Sequence, residues 1–179
     1  MPRNLNSFVL PDSIIEIMKQ KVRRTEIIHK ELGFNLCKIE GSNELKDDTH
    51  CIGSECSMPL AKTCKIGEKV GTFHTHPKAD SEPSLPDLWG GYYYGVECVG
   101  GVKDKKIACY VRKDKVRDPG VVKAFVANSA RFKSLSAGKK HHLTTDRGYQ
   151  IYLSKFNDLK YTRKFMLQKY FHAVDIANV

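Results

Sequence analysis

Two histidines separated by a single residue are the part of this sequence whose types and spacing point most directly to chemistry. His74 and His76 lie in GTFHTHPKADSEPSLPD, where Ser84 and Asp87 follow, so the string has the form H-x-H-x7-S-x2-D. Residues i and i+2 of a strand point to the same side, so the two imidazoles would face one point. Two imidazole nitrogens and a carboxylate oxygen are zinc ligands, and a fourth position would stay open for water. The spacing therefore predicts a catalytic zinc site at His74, His76 and Asp87.

The elements predicted on either side of the motif fit such a site. Residues 69–76 alternate in polarity, which indicates a strand, and Pro77 ends the strand because proline cannot donate a hydrogen bond to a ladder. Ser84, with an acid three residues later, has the form of a capped helix start. A ligand in the first turn of that helix would follow closely on the strand that carries the two histidines.

The rest of the first 120 residues predicts a fold that mixes α and β elements. Pro11-Asp12-Ser13 is typical of a helix start, and the apolar residues that follow recur at helical spacing. Residues 30–40 alternate and indicate a strand with one packed face and one face of polar atoms. Residues 96–102 and 106–112 form a plausible hairpin, and residues 41–67 are predicted to be a loop with at most one short strand.

The pattern changes after Asp118-Pro119-Gly120. Residues 121–127 are compatible with a strand, and residues 133–148 are polar and predicted to be a loop. Apolar residues within 149–173 recur at nearly helical spacing, which predicts one long helix or two shorter ones. We therefore expect an α+β domain over residues 1–120, and a basic, partly helical extension over residues 121–179 that is packed on the domain or appended to it.

The motif segment resembles the signature of the JAMM metalloproteases of the MPN/JAB domain family, which are zinc isopeptidases. The likeness covers the 14 residues of the motif, and the order of strands and helices extends it to about residues 20–112. It implies a central mixed sheet flanked by helices, zinc bound by His74, His76 and Asp87, and an oxyanion supported by the Ser84 hydroxyl.

The resemblance also implies a glutamate on an earlier strand, acting as the general base for the zinc-bound water. Glu31, in ELGFNL, fits the usual context of an acid followed by glycine and aliphatic residues, and Glu26 and Glu40 are the alternatives. The implied reaction is hydrolysis of a peptide or isopeptide bond by glutamate-assisted attack of that water. The implied substrate is a ubiquitin-like protein conjugate or precursor.

The charge distribution keeps a different function open. The net charge is +10, and residues 121–179 hold eleven lysines and arginines against three acids, a balance that attracts polyanions such as nucleic acid. One alternative is therefore a DNA-associated, RadC-like member of the same superfamily, and another is a metal-free MPN scaffold protein. The basic residues of the extension alternate with aromatic ones that would allow base stacking, although an amphipathic helix packed on the domain has the same pattern: Tyr152, Lys155, Phe156, Lys160, Tyr161 and Arg163.

Three of the six cysteines lie close together in the chain, at Cys51, Cys56 and Cys64. Their spacings of four and seven residues differ from those of zinc knuckles and ribbons, so a second metal, a local disulfide and free thiols all stay open for them. No apolar run approaches the roughly 20 residues of a membrane-spanning helix, and the first residues lack the features of a secretory signal. We therefore expect a cytoplasmic protein without a membrane partner; the sequence does not predict its oligomeric state.

Overall fold

The computed structural model describes residues 1–53, 63–114, 117–120 and 163–179. In these ranges a mixed sheet has helices packed against it, which confirms the predicted combination of α and β elements. Residues 163–170 form a helix near the end of the described chain. Within the described residues, no helix has the length and apolar character needed to cross a bilayer. The other elements, in chain order, are β1 (Arg3–Leu5), β2 (Phe8–Leu10), α1 (Asp12–Ile28), β3 (Leu32–Lys38), β4 (Leu45–Ile52), β5 (Glu68–His76), α2 (Leu85–Tyr94), β6 (Val96–Gly101), β7 (Lys106–Arg112) and β8 (Phe171–Asn178).

The main sheet has six strands in the order β4-β3-β5-β6-β7-β8, and β1 and β2 form a separate two-stranded sheet. Neighbouring strands of the main sheet are antiparallel except for β5 and β6, which are parallel. A parallel pair needs a crossover connection, and α2 supplies it. The chain therefore leaves the sheet at the end of β5, and the motif occupies this exit and the start of α2.

The helices α1 and α2 cover opposite faces of the sheet. Cys98 and Val99 are neighbours on β6, so their side chains point to opposite faces. Cys98 belongs to a buried cluster with Met18 and Val22 of α1, whereas Val99 belongs to a second buried cluster with Leu88 of α2. The central strands are consequently buried on both sides, and polar side chains on them need partners inside the protein.

The helix α1 begins at Asp12, as the sequence predicted. Its buried residues include Ile14, Met18 and Val22, which recur every four positions and face the sheet. The helix ends before His29, whose left-handed backbone (φ 54°) turns the chain toward β3. This turn places Glu31 immediately before β3.

The strand β3 differs from the prediction of one packed and one polar face. Its first six residues are all buried. Asn35 on the supposedly polar face donates a hydrogen bond from Nδ2 to the carbonyl of Thr63, 3.1 Å away, and Cys37 bonds to Cys64. The segment that leads into β5 therefore covers this face, a long-range contact that local periodicity cannot reveal.

Residues 41–67 were predicted to hold at most one short strand, and this prediction was wrong because the strand is longer. The strand β4 runs for eight residues at the edge of the sheet, and all of them except Leu45 are half-buried or exposed. A strand covered so little needs no apolar alternation, so its sequence LKDDTHCI carries no clear period of two.

The prediction of helix over residues 149–173 is wrong at its C-terminal end. Residues 163–170 are helical, but β8 begins at Phe171 and pairs antiparallel with β7. Residues 149–162 lie outside the described residues, as do the strand predicted over 121–127 and the loop predicted over 133–148. The final strand of the chain thus forms one edge of the sheet that carries the motif.

Candidate metal centre

The two histidines of the motif occupy the last positions of β5. This strand is paired with β3 on one side and with β6 on the other, so its backbone is held along both edges. His74 and His76 are two residues apart and project from the same face. The chain then turns through residues 77–83, and Ser84 caps α2. The structure thus brings Asp87, in the first turn of α2, against both imidazoles.

The side chains of His74, His76 and Asp87 converge on one point. The Nε2 atoms of the two histidines are 3.0 Å apart. Asp87 Oδ1 lies 3.4 Å from His74 Nε2, and Asp87 Oδ2 lies 3.5 Å from His76 Nε2. Ligand bonds of about 2.0–2.1 Å in a tetrahedral zinc site place the ligand atoms about 3.3–3.4 Å from one another. The three separations, which involve both oxygens of Asp87, lie within a few tenths of an ångström of this spacing, so the three residues could hold a single metal ion.

Both imidazoles present Nε2 to this point because their Nδ1 atoms are engaged on the other side. His74 Nδ1 lies 2.9 Å from Glu97 Oε1, and His76 Nδ1 lies 3.0 Å from the carbonyl oxygen of Asp80. A carbonyl and an ionised carboxyl only accept hydrogen bonds, so each Nδ1 carries the proton and donates it. Each Nε2 then keeps its lone pair for a metal, which is the arrangement found around metal-binding histidines.

The charges around the two histidines favour a cation between them. Two nitrogen lone pairs 3.0 Å apart repel each other unless a proton or a metal ion lies between them. Burial lowers the pKa of His74, but the Asp87 and Glu97 carboxylates outweigh burial and hold this pKa well above its ordinary value. Burial raises the pKa of Asp87, yet the imidazoles of His74 and His76 hold it well below its usual range. The group therefore attracts positive charge, which a proton or a divalent cation can supply.

Ser84 orients the Asp87 carboxylate through the start of α2. The backbone N–H of Ser84 donates to Asp87 Oδ2 over 2.7 Å, and the backbone N–H of Asp87 donates to Ser84 Oγ over 3.3 Å. These two bonds form a capping box, as the sequence predicted. In it the Ser84 hydroxyl acts as an acceptor, so its own proton is available to donate to a further group.

Glu31 lies beside the three ligands, at the entry to β3. The register pairs Gly33 with His74, and in an antiparallel pair this places Glu31 opposite His76. The residue is buried, with 7% of its surface exposed. Burial raises the pKa of Glu31, while the nearby charges of His74 and His76 act to lower it. A buried carboxyl with a raised pKa next to a metal group has the properties of a general base.

The other two candidate bases lie away from the ligands. Glu26 is on α1, is half exposed and forms an ion pair with Lys105. Glu40 is exposed and follows the opposite end of β3 from Glu31. The pKa of Glu31, by contrast with these positions on the surface, is set by its burial and by the charges of the metal group beside it.

The cysteines form disulfides that the spacing analysis did not foresee. Cys64 pairs with Cys37, 27 residues away, rather than with a cysteine of its own segment. Cys51 is a free thiol in the described part of the chain, and Cys56 lies outside that part. Long-range pairing follows from the fold, because Thr63 and Cys64 lie against Asn35 and Cys37 of β3. The described residues hold two disulfides, Cys37–Cys64 and Cys98–Cys109.

A second group of possible metal donors consists of Cys37, Asp48 and Cys64, whose ligand atoms lie within 4.8 Å of one another. Both sulfurs are joined in the disulfide. Asp48 Oδ2 accepts hydrogen bonds from the backbone N–H groups of Lys65 and Ile66, at 2.5 and 3.3 Å. Asp48 therefore anchors the chain where it enters β5. The two sulfurs are joined to each other, so neither is a thiolate that could bind a metal.

The groups that orient the two histidines were not predicted from the sequence. Glu97 is the one acid in the buried strand VECVGG, and an acid in such a strand needs a partner inside the protein. That pattern is a signal which could have pointed to Glu97. The carbonyl of Asp80 has no such signal, because every residue offers a carbonyl.

The chain matches no model of a known protein family, and no curated protein is similar to it. The likeness to the JAMM signature therefore rests on the motif and on the order of the elements around it.

Proposed function

We propose that this protein is a zinc-dependent hydrolase that cleaves a peptide or isopeptide bond. The observation that carries the proposal is the convergence of His74, His76 and Asp87 at the spacing of zinc ligands, with Glu31 buried beside them. Three protein ligands leave a fourth position for water, the ligand count of catalytic zinc sites. When bound, zinc lowers the pKa of a water molecule toward about 7 and polarises a carbonyl oxygen.

Two residues of the chain would carry out the proton transfer and the stabilisation of charge. Glu31 accepts a proton from the attacking water as the new bond to the carbonyl carbon forms. Glu31 then delivers the same proton to the amine nitrogen as the carbon–nitrogen bond breaks, so that a carboxylic acid and an amine leave. Ser84 donates its hydroxyl hydrogen to the negative charge that develops on the carbonyl oxygen.

The substrate class follows from the resemblance to the JAMM signature. Members of that family act on ubiquitin-like proteins joined to lysine, and we propose a conjugate or a precursor of such a protein as the substrate. The complete donor set and its oriented histidines argue against the metal-free scaffold alternative. The nucleic-acid alternative depends chiefly on residues 121–162, which lie outside the described ranges.

The test is cleavage of a panel of linear ubiquitin-like fusions and lysine-linked conjugates by the zinc-loaded full chain. We expect cleavage that stops when zinc is removed by a chelator, returns when zinc is added back, and is lost in Asp87→Ala. Asp12→Ala is the matched control, because Asp12 is an exposed acid in the first turn of α1. Zinc-loaded protein that leaves every member of the panel intact would contradict the proposed substrate class. Cleavage that survives Asp87→Ala would contradict the proposed site.

A further inference from the structure

The two histidines of the metal group accept their orientation from hydrogen-bond partners in different kinds of structure, one in a central strand and one in an irregular segment. His74 is held by Glu97, a buried side chain on a central strand of the sheet. His76 is held by the backbone carbonyl of Asp80, which belongs to the irregular segment 77–83. A carbonyl in such a segment can orient an imidazole only if something else keeps the segment in place.

That segment is fastened at Ser81 by the side chain of Asp104. Asp104 lies in the turn between β6 and β7, and its Oδ2 accepts from the backbone N–H of Ser81 at 3.1 Å and from Ser81 Oγ at 2.7 Å. Ser81 is itself buried, with 6% exposed. A charged acceptor that receives two hydrogen bonds at a buried residue is a strong attachment.

Further contacts surround the same attachment. The hydroxyl of Tyr110 donates to the carbonyl of Ser81 over 2.9 Å. Gly101 lies so close to the segment that an added Cβ would overlap with the Asp104 carboxylate and the backbone of Asp80 and Ser81. The contact therefore requires a residue without a side chain at position 101. The next residues, Val102 and Lys103, donate backbone hydrogen bonds to His76 and Ala79.

We propose that Asp104 is a positioning residue of the metal centre, an inference that rests on the metal site of the proposed function. Asp104 fixes Ser81, and the preceding carbonyl of Asp80 is thereby fixed against His76 Nδ1. Asp104 thus orients His76 through two intermediate residues, whereas Glu97 orients His74 directly. Without the hydrogen bonds from Ser81 to Asp104, all three donor residues would still be present. The imidazole of His76 would no longer be fixed in the orientation that binds metal, so metal binding would weaken.

Asp104 also has a local role that the test must separate from this one. Its other oxygen, Oδ1, lies 3.4 Å from the backbone N–H of Lys106 within the β6–β7 turn. Ser81→Ala removes only the hydroxyl bond to Oδ2 and leaves the turn untouched. Asp114→Ala is the matched control, because Asp114 is an exposed acid just beyond the opposite end of β7.

The experiment measures zinc affinity of the full chain by competition with a chromophoric chelator, together with the melting temperature of each metal-free variant. Substitution of groups that orient metal ligands typically weakens metal binding by about 10- to 100-fold, and we expect this range for Asp104→Ala. We expect a smaller loss for Ser81→Ala and none for Asp114→Ala. In the zinc-loaded protein, the Nδ1–H signal of His76 in ¹⁵N NMR spectra should exchange faster in both variants, while that of His74 stays unchanged.

Each outcome decides the proposal. Wild-type affinity in Asp104→Ala and Ser81→Ala overturns it and leaves the proposed metal centre intact. A second outcome also overturns the proposal: zinc binding is weaker in Asp104→Ala but not in Ser81→Ala, and the melting temperature of Asp104→Ala falls in proportion. Asp104 would then act only by stabilising the β6–β7 turn. If Asp104→Ala does not fold, Ser81→Ala and Tyr110→Phe decide by the same two measurements. Failure of the wild-type chain to bind zinc refutes the proposed function, and this inference with it.

Discussion

His74 Nδ1 lies 2.9 Å from Glu97 Oε1, inside a sheet where the Glu97 side chain is 3% exposed. Burying a carboxylate costs several kcal/mol unless hydrogen bonds and opposite charge compensate it. Thr72 Oγ1 and His74 Nδ1 supply that compensation. The pKa of Glu97 is raised by burial, although the hydrogen bond to His74 acts to lower it. The pair gives His74 a fixed orientation, which is the property that a metal ligand needs.

The first prediction concerns this pair. Glu97→Gln keeps the shape of the side chain and removes the charge that orients His74, so zinc affinity should fall by about 10- to 100-fold. Competition with a chromophoric chelator measures the change. Glu40→Gln removes an exposed acid and should leave the affinity unchanged. Equal affinities of Glu97→Gln and the wild type would show that Glu97 does not orient a ligand.

The second prediction separates the base from the ligands. Glu31→Gln should bind zinc as the wild type does, because Glu31 is not among the three donors, yet cleavage should slow by about 10²- to 10⁴-fold. Initial rates on a cleaved member of the ubiquitin-like panel provide the measurement. Glu26→Gln is the control, since Glu26 pairs with Lys105 on the surface and should leave the rate unchanged. A large loss in Glu26→Gln, with Glu31→Gln fully active, would transfer the role to Glu26.

The third prediction concerns pH. Burial lowers the pKa of His74 in the folded, metal-free protein, but the Asp87 and Glu97 carboxylates outweigh burial and hold it well above the ordinary histidine value of about 6.5. A proton therefore occupies the site near neutral pH, and zinc must displace it. Apparent zinc affinity should consequently rise as the pH increases toward the pKa of His74, and binding should release protons.

The free energy of unfolding of the metal-free protein should fall as the pH rises, whereas the apparent zinc affinity increases. A raised folded-state pKa gives stabilisation that is complete below the unfolded value and is lost as pH rises through the folded value. Calorimetry in buffers of different ionisation enthalpy, with denaturant titrations, measures both effects. His50→Gln changes a half-exposed histidine paired with Asp47 and should alter neither. Zinc binding without proton release at pH 6.5, where the raised pKa keeps His74 protonated, would contradict the charge assignment.

The fourth prediction concerns the Cys37–Cys64 disulfide, which closes a loop of 27 residues. Chain entropy assigns such a loop a stabilisation of about 3–4 kcal/mol. Cys64→Ser should therefore lower the free energy of unfolding by about that amount without reductant. In dithiothreitol, which opens the wild-type bond as well, the difference should become small. Cys51→Ser, at a free thiol, is the control. An unchanged free energy of unfolding in Cys64→Ser would show that the bond is absent in solution.

Local signals in the sequence predicted the elements that carry the metal ligands. The alternation before Pro77 located β5, and the Ser84–Asp87 pair located the start of α2. Each of these signals lies within a few residues of the structure that it predicts. The spacing of the two histidines was therefore sufficient to place both imidazoles on one face.

The groups that support the ligands could not be predicted in the same way. Glu97 meets His74 only because β6 lies parallel to β5, and Asp104 meets Ser81 only because the β6–β7 turn lies beside the segment after β5. Such contacts depend on strand order, which no local period encodes. The same reason explains the missed pairing of Cys37 with Cys64.

The most direct test of the central claim is zinc X-ray absorption spectroscopy on the full chain loaded with one equivalent of zinc. We predict a shell of nitrogen and oxygen ligands at about 2.0–2.1 Å, with the scattering pattern of two imidazoles and no sulfur. His74→Ala and Asp87→Ala should each lose the tightly bound ion. A sulfur shell at about 2.3 Å, or a wild-type chain that retains no zinc through gel filtration, would contradict the account.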